Sequence, residues 1–167
     1  MKRIKIPNLW QPRSYQMDLW RYLENGGKRA VAVWHRRAGK DSLALNWTAV
    51  AAMQRKGVYW HMLPLQTQAR KVVWDAIDKR GRRVIDQVFP PALRKSVNSQ
   101  EMKIELLNGS IWQCVGSDHY NALVGANPRR RRIFRIFDRR SRGVGLHPPD
   151  FGGKRRMGFV HLYAART

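Results

Sequence analysis

Apolar positions recur along the first two thirds of the chain with two alternating periods. Tyr15, Leu19, Tyr22 and Leu23 follow Ser14 at helical spacing, and Asn25-Gly26-Gly27 interrupts the run. This predicts a helix from Ser14, a capping residue, to roughly Glu24. RAVAVW at 29–34 is short, apolar and partly β-branched, which predicts a buried strand. From Asp41 to about Lys56 the pattern is helical again, with Leu43, Ala44, Trp47, Val50 and Ala51 on one face. GVYWHMLP at 57–64 predicts a second buried strand, closed by Pro64, and Ala69, Val72, Val73, Ala76 and Ile77 predict a helix over Gln66–Lys79. MKIELLNGSIWQCV at 102–115 predicts a hairpin with Asn108-Gly109 in a type I′ turn, whose two central residues both need positive φ. Strand, helix, strand, helix and further strands predict an α/β layer fold with a mainly parallel sheet and flanking helices. Ligands of such sheets sit at the carboxyl ends of the strands, and the loop at 35–40 lies at such an end.

Length and charge narrow the picture. The 167 residues suffice for one domain with a real core, and 43% of them are hydrophobic. A net charge of +22 implies a polyanionic partner, most simply nucleic acid. No apolar run approaches the roughly 20 residues of a spanning helix. MKRIKIPNLW lacks the apolar stretch of a signal peptide, so a cytoplasmic protein without a membrane partner is expected. Cys114 is the single cysteine, which excludes an internal disulfide framework and any CxxC metal site, and the histidines show no metal-ligand spacing. The charge is uneven: residues 129–167 hold 12 Lys+Arg against 2 Asp+Glu, and all seven Trp precede residue 113. The chain therefore divides into a body, 1–128, and an Arg-rich tail, 129–167.

Within the body, AVWHRRAGKD at 32–41 carries the candidate chemistry. A phosphate loop turns tightly between strand and helix so that successive N–H groups and the helix N-terminus face the phosphates, while a lysine reaches the terminal ones. Gly39 and Lys40 supply the turn and the cation. Trp34 stands where the G-x-x-x-x-G-K-[ST] pattern has its first glycine, and Asp41 stands at its Ser/Thr position. Read alone, the segment favours a basic solvated turn over a phosphate loop. The preceding apolar run and the long helix after it favour the phosphate loop. Ser42 and, through water, Asp41 are the candidate Mg²⁺ residues. Tyr15 and Gln16 are placed to meet a base, because an amide can read both the donor and the acceptor of an adenine edge. A surface helix residue is the plain alternative for Gln16.

PRSYQ (12–16), WHRRAGKD (34–41), LPLQTQARKVVWDAI (63–77), LLNGSIWQCVGSD (106–118) and NALVGANP (121–128) together resemble the ATPase domain of the large terminase subunit of tailed phages, the motor that packs DNA into capsids. The resemblance implies a P-loop NTPase fold of the RecA-like (ASCE) kind, ATP and Mg²⁺ as cofactors, and double-stranded DNA as substrate. It also implies the small terminase subunit and the portal as partners. By position, Gln16 resembles the adenine-reading glutamine. Arg36 resembles a loop arginine acting as a finger in cis on the γ-phosphate, and Gly39-Lys40 the phosphate-cradling pair. Tyr15, Arg37, Ala38, Asp41 and Ser42 complete the implied nucleotide site. Asp118 and Asn121 resemble a loop that senses nucleotide or DNA, with a capped loop as the equal alternative.

The family next has a buried strand ending in carboxylates that hold Mg²⁺ and orient the attacking water. Here the sequence is RRRRIFRIFDRR, with Asp138 as its carboxylate. Four successive arginines are not expected in a sheet core, because burying them unpaired is costly. Arg, Gly and Pro enrichment suggests GC-rich coding DNA read out of frame. Read one base later, the tail permits an apolar strand, an acidic Ser-Glu-Tyr and a second strand ending in Thr-Pro-Arg. On this reading the body is an incomplete ATPase domain with an exposed sheet edge. The tail is unstructured, and the catalytic carboxylate and nuclease domain are missing. A fragment of a helicase-like ATPase and a non-enzymatic basic nucleic-acid-binding protein are the rival readings.

Overall fold

The computed structural model describes residues 10–27, 29–35, 37–119, 131–137 and 158–165, with residue 119 and the last two segments through their backbone. A 3₁₀ turn at Ser14–Gln16 leads into helix α1 (Met17–Glu24). The helix stops where predicted. Asn25 and Gly27 donate their N–H groups to the Arg21 and Tyr22 carbonyls, and Gly26 takes φ 86°.

Strand β1 (Arg29–His35), helix α2 (Lys40–Gln54) and strand β2 (Val58–Leu63) follow. Helix α3 (Gln66–Ala69) continues as a π-wound segment through Arg70–Trp74. A short helix α4 (Val84–Val88) and strands β3 (Arg94–Asn98), β4 (Lys103–Leu106) and β5 (Ile111–Gly116) complete the body. Strands β6 (Arg131–Phe137) and β7 (Gly158–Ala165) belong to the Arg-rich end.

All seven strands join one mixed sheet in the order β1-β7-β6-β2-β5-β4-β3. β1, β7, β6, β2 and β5 run parallel, whereas β4 pairs antiparallel with β5 on one side and with β3 on the other. The expected α/β layer architecture with a mainly parallel sheet is therefore present.

The core lies between the sheet and α2, α3 and α4. Of the predicted face of α2, Leu43, Ala44, Trp47 and Ala51 are buried and Val50 is half-buried, and Leu45, Ala49 and Ala52 outside that face are buried too. Trp112 of β5 is fully buried, stacked on Trp74 with ring centroids 6.3 Å apart and tilted against Phe89 at 5.1 Å. Trp60, Met62 and Val115 form a second cluster on the other face, so β2 is buried on both sides, as its apolar run predicts.

Four expectations change. β1 is not a buried strand but the sheet's edge: Val31 and Val33 are 66% and 60% exposed, and only Ala32 is buried. The helix predicted over Gln66–Lys79 ends at Trp74, because the Asp78 carboxylate accepts the Arg80 and Arg82 N–H groups and folds 76–83 into a turn. The hairpin of β4 and β5 is present with Ile104 opposite Trp112, but its turn is not type I′. Positive φ falls on Gly109 alone, at 77°; Gly109 N–H donates to Leu106 O and Leu106 N–H to Ser110 O, a type I turn closed by a left-handed glycine. Asn108 avoids positive φ because its side chain donates to Ala52 O and accepts the Ser110 N–H.

The fourth change concerns the Arg-rich end. Residues 131–137 and 158–165 are not unstructured; they pair as parallel strands between β1 and β2. The IFRIF run at 133–137 supplies the remainder of β6 after Arg131 and Arg132, which stand at its beginning opposite Val58 and Tyr59. Residues 138–157, with Asp138, lie outside the described residues.

Candidate functional site

The loop after β1 is built by backbone geometry. Gly39 takes φ 74° and ψ 29°, a left-handed conformation, and immediately precedes the 15-residue helix α2. Arg37 also has positive φ, 63°, which a non-glycine residue adopts at a cost of about 1 kcal/mol or more. No side chain among the described residues caps α2, so its first N–H groups face outward at the positive end of the helix dipole. Lys40 opens the helix and is 8% exposed, and Ala38 beside it is buried. The loop stands at the carboxyl end of β1, the same end at which β7, β6 and β2 finish.

Two side chains from the N-terminal turn hold the loop. Gln16 is buried; its Nε2 donates to Ala38 O at 2.7 Å and Gly39 O at 3.3 Å, and its Oε1 accepts the Arg13 N–H at 3.0 Å. Tyr15 donates its hydroxyl to Ala38 O at 2.9 Å, accepts from the Arg13 guanidinium at 2.9 Å, and packs edge-on to Trp34. Gln16 is thus no surface residue. Its amide is engaged with the loop on Nε2 and with Arg13 on Oε1.

Asp41 and Ser42 follow on the first turn of α2. The Ser42 carbonyl accepts from the Asn46 side chain at 2.8 Å. Asp41 turns toward β2, where its Oδ1 lies 3.6 Å from His61 Nε2. Asp41 Oδ1 is buried without a hydrogen-bond partner among the described residues, an arrangement suited to a cation. The residues present therefore fit a triphosphate with its ion: Gly39 and the α2 N–H groups for phosphate, Lys40 for the terminal charge, Asp41 for the metal.

His61 went unnoticed in the sequence because it sits inside an apolar strand, where a lone histidine has no local signal. Arg13 was also missed, although it bridges Tyr15 and Gln16. Asp118 serves as a cap: its carboxylate accepts the Gln66 N–H at 3.0 Å, and the Gln66 side chain accepts the Gly116 N–H. Arg36 and Asn121 lie outside the described residues.

Cys114 pairs in register with His61 on the neighbouring strand. Burial pushes its thiol well above the ordinary range, and the nearby Asp41 charge adds to the effect. Its Sγ donates to Ala69 O at 3.7 Å. It is a structural thiol. No helix among the described residues is long and apolar enough to cross a membrane. No protein-family model, curated protein or solved structure matches the chain.

Proposed function

We propose that the chain is a fragment of a DNA-packaging motor of the terminase large-subunit kind, and that its loop at 35–42 binds ATP with a divalent ion. One observation carries the reading: a left-handed Gly39 followed by Lys40 opens a long uncapped helix at the carboxyl end of a parallel strand. Backbone N–H groups, helix dipole and a lysine then converge where a triphosphate would sit. Support also comes from Gln16 and Tyr15, which brace the loop carbonyls from the segment that resembles the adenine-reading one. In this role Gln16 positions the loop. Arg36 is assigned the γ-phosphate, and double-stranded DNA, the small subunit and the portal remain the proposed partners.

The two strands between β1 and β2 occupy the place that the incomplete-domain reading left open. The out-of-frame reading of 129–167 is a claim about the gene. The codons of Arg129–Arg132 test it: a one-base shift must yield the apolar, acid-ended strand, and an in-frame gene makes β6 and β7 native.

The functional test is titration with a fluorescent ADP analogue, beside an ATPase assay. The wild-type chain is expected to bind nucleotide, Lys40→Ala to lose about tenfold or more in affinity, and hydrolysis to stay near background, because the out-of-frame reading removes the catalytic carboxylate. Turnover abolished by Lys40→Ala would contradict the inactive reading. The net charge of +22 favours a second reading, a basic nucleic-acid-binding protein. In that case DNA binding falls steeply with salt, is indifferent to Lys40→Ala, and nucleotide does not bind.

A further inference from the structure

We propose that Asp41 and His61 form a binding site for a divalent transition metal such as Mn²⁺, Co²⁺ or Zn²⁺, at the mouth of the loop. The inference that this ion is shared with a nucleotide's terminal phosphates rests on the functional reading above; the metal site itself does not.

Among the described residues, the buried side-chain polar atoms without a hydrogen-bond partner are Asp41 Oδ1, His61 Nδ1, His61 Nε2 and Trp112 Nε1. They are not scattered. Asp41 faces His61, and the His61 ring lies 6.4 Å from that of Trp112. Buried polar groups are almost always satisfied, so a local cluster of unsatisfied ones marks a place built for something else. The His61 side chain is 1% exposed and that of Asp41 37%, so the imidazole is fixed in the wall while the carboxylate reaches solvent and gives an ion its way in.

The spacing is that of a loose ion pair or of two ligands on one ion, not that of a hydrogen bond. At 3.6 Å, Nε2 and Oδ1 are too far apart for an N–H···O bond. Two ligands each about 2.1 Å from a tetrahedral ion stand about 3.5 Å apart. An imidazole nitrogen contributes little to a hard ion such as Mg²⁺, which prefers oxygen, whereas a mixed nitrogen and oxygen pair suits the later divalent metals. Cys114 is not a third ligand, since its Sγ is directed to the Ala69 carbonyl. Water or phosphate oxygens complete the shell.

The test uses the full chain and Mn²⁺ alone, with free ion read by electron paramagnetic resonance. Wild-type protein is expected to take up one ion per chain. Zn²⁺ should displace it near stoichiometry, and Mg²⁺ only at about 100-fold excess or more. Asp41→Asn and His61→Gln should each weaken uptake about tenfold or more, with thermal unfolding of Asp41→Asn in the absence of metal unchanged. Because Asp41 is partly exposed, its variant stays informative even where the buried His61 substitution disturbs folding. All Mn²⁺ remaining free with wild type, or uptake unchanged in Asp41→Asn, overturns the site. Adding ADP separates the two inferences. Tighter Mn²⁺ uptake supports a shared ion, and bound ADP without any change in Mn²⁺ affinity removes the sharing. Mn²⁺ uptake with no ADP binding leaves the metal site and refutes the nucleotide reading.

Discussion

Gly39 does work at its position that no other residue does as cheaply. Its φ of 74° strains any L side chain, and a Cβ there would lie 3.1 Å from Gln16 Nε2, the atom that holds the loop. Gly39→Ala is expected to cost about 1–2 kcal/mol of stability. It should weaken nucleotide binding further by pushing Gln16 off the Ala38 carbonyl; thermal unfolding and ADP titration measured together separate the two effects. The Gly39-Lys40 pair was legible because a tight strand-to-helix turn needs that chemistry locally. Gln16 was legible as a candidate but not in its role, since Ala38, its partner, is remote in sequence. His61 was invisible for the same reason: only the packing of α2 on β2 brings Asp41 to it.

Elements end where side chains outbid the helical backbone. The Asp78 carboxylate receives the Arg82 and Arg80 N–H groups and the Arg82 guanidinium, which hold its pKa down at about 2, with the backbone bond from Arg82 as the largest cause. A lowered folded pKa means that the turn's contribution is present above the ordinary value of about 3.8 and is lost as pH falls through about 2. Amide exchange of residues 76–83 should accordingly accelerate between pH 4 and 2 in wild type, and Asp78→Asn should be fast at both. Arg94 ties α4 to β3: it donates to Asp86 Oδ1 at 2.6 Å, Phe89 O at 2.6 Å and Ile85 O at 3.2 Å. Its side chain is only 13% exposed, so Arg94→Ala leaves partly buried acceptors unpaired and is expected to cost about 1.5–3 kcal/mol in urea unfolding. Neither α4 nor β3 was predicted. Four of the five residues of β3, RKSVN, are polar because the strand lies at the end of the sheet and Lys95–Asn98 are exposed on both faces.

For the whole molecule, the consequential feature is the outer edge of the sheet. Among the described residues β1 has a neighbour on one side alone, and it exposes Val31 and Val33, an arrangement that invites pairing with another chain. Val31→Lys with Val33→Lys should lower self-association in sedimentation velocity while changing the unfolding midpoint little, because neither valine is buried. Retention of the self-association in the double variant would place the contact elsewhere.

Residue order alone determined what depends on near neighbours: the apolar periods behind α1, α2 and β2, the stop at Asn25-Gly26-Gly27, the hairpin of β4 and β5, and the glycine–lysine turn. Each is settled by backbone sterics and by burial of one face within a few residues. Tertiary structure decided which strand became the edge, how two arginine-bearing segments came to lie between β1 and β2, and that Asp41 meets His61. These outcomes join residues far apart in the chain. They follow from competition among long-range pairings for the same sheet and core, which no local pattern records.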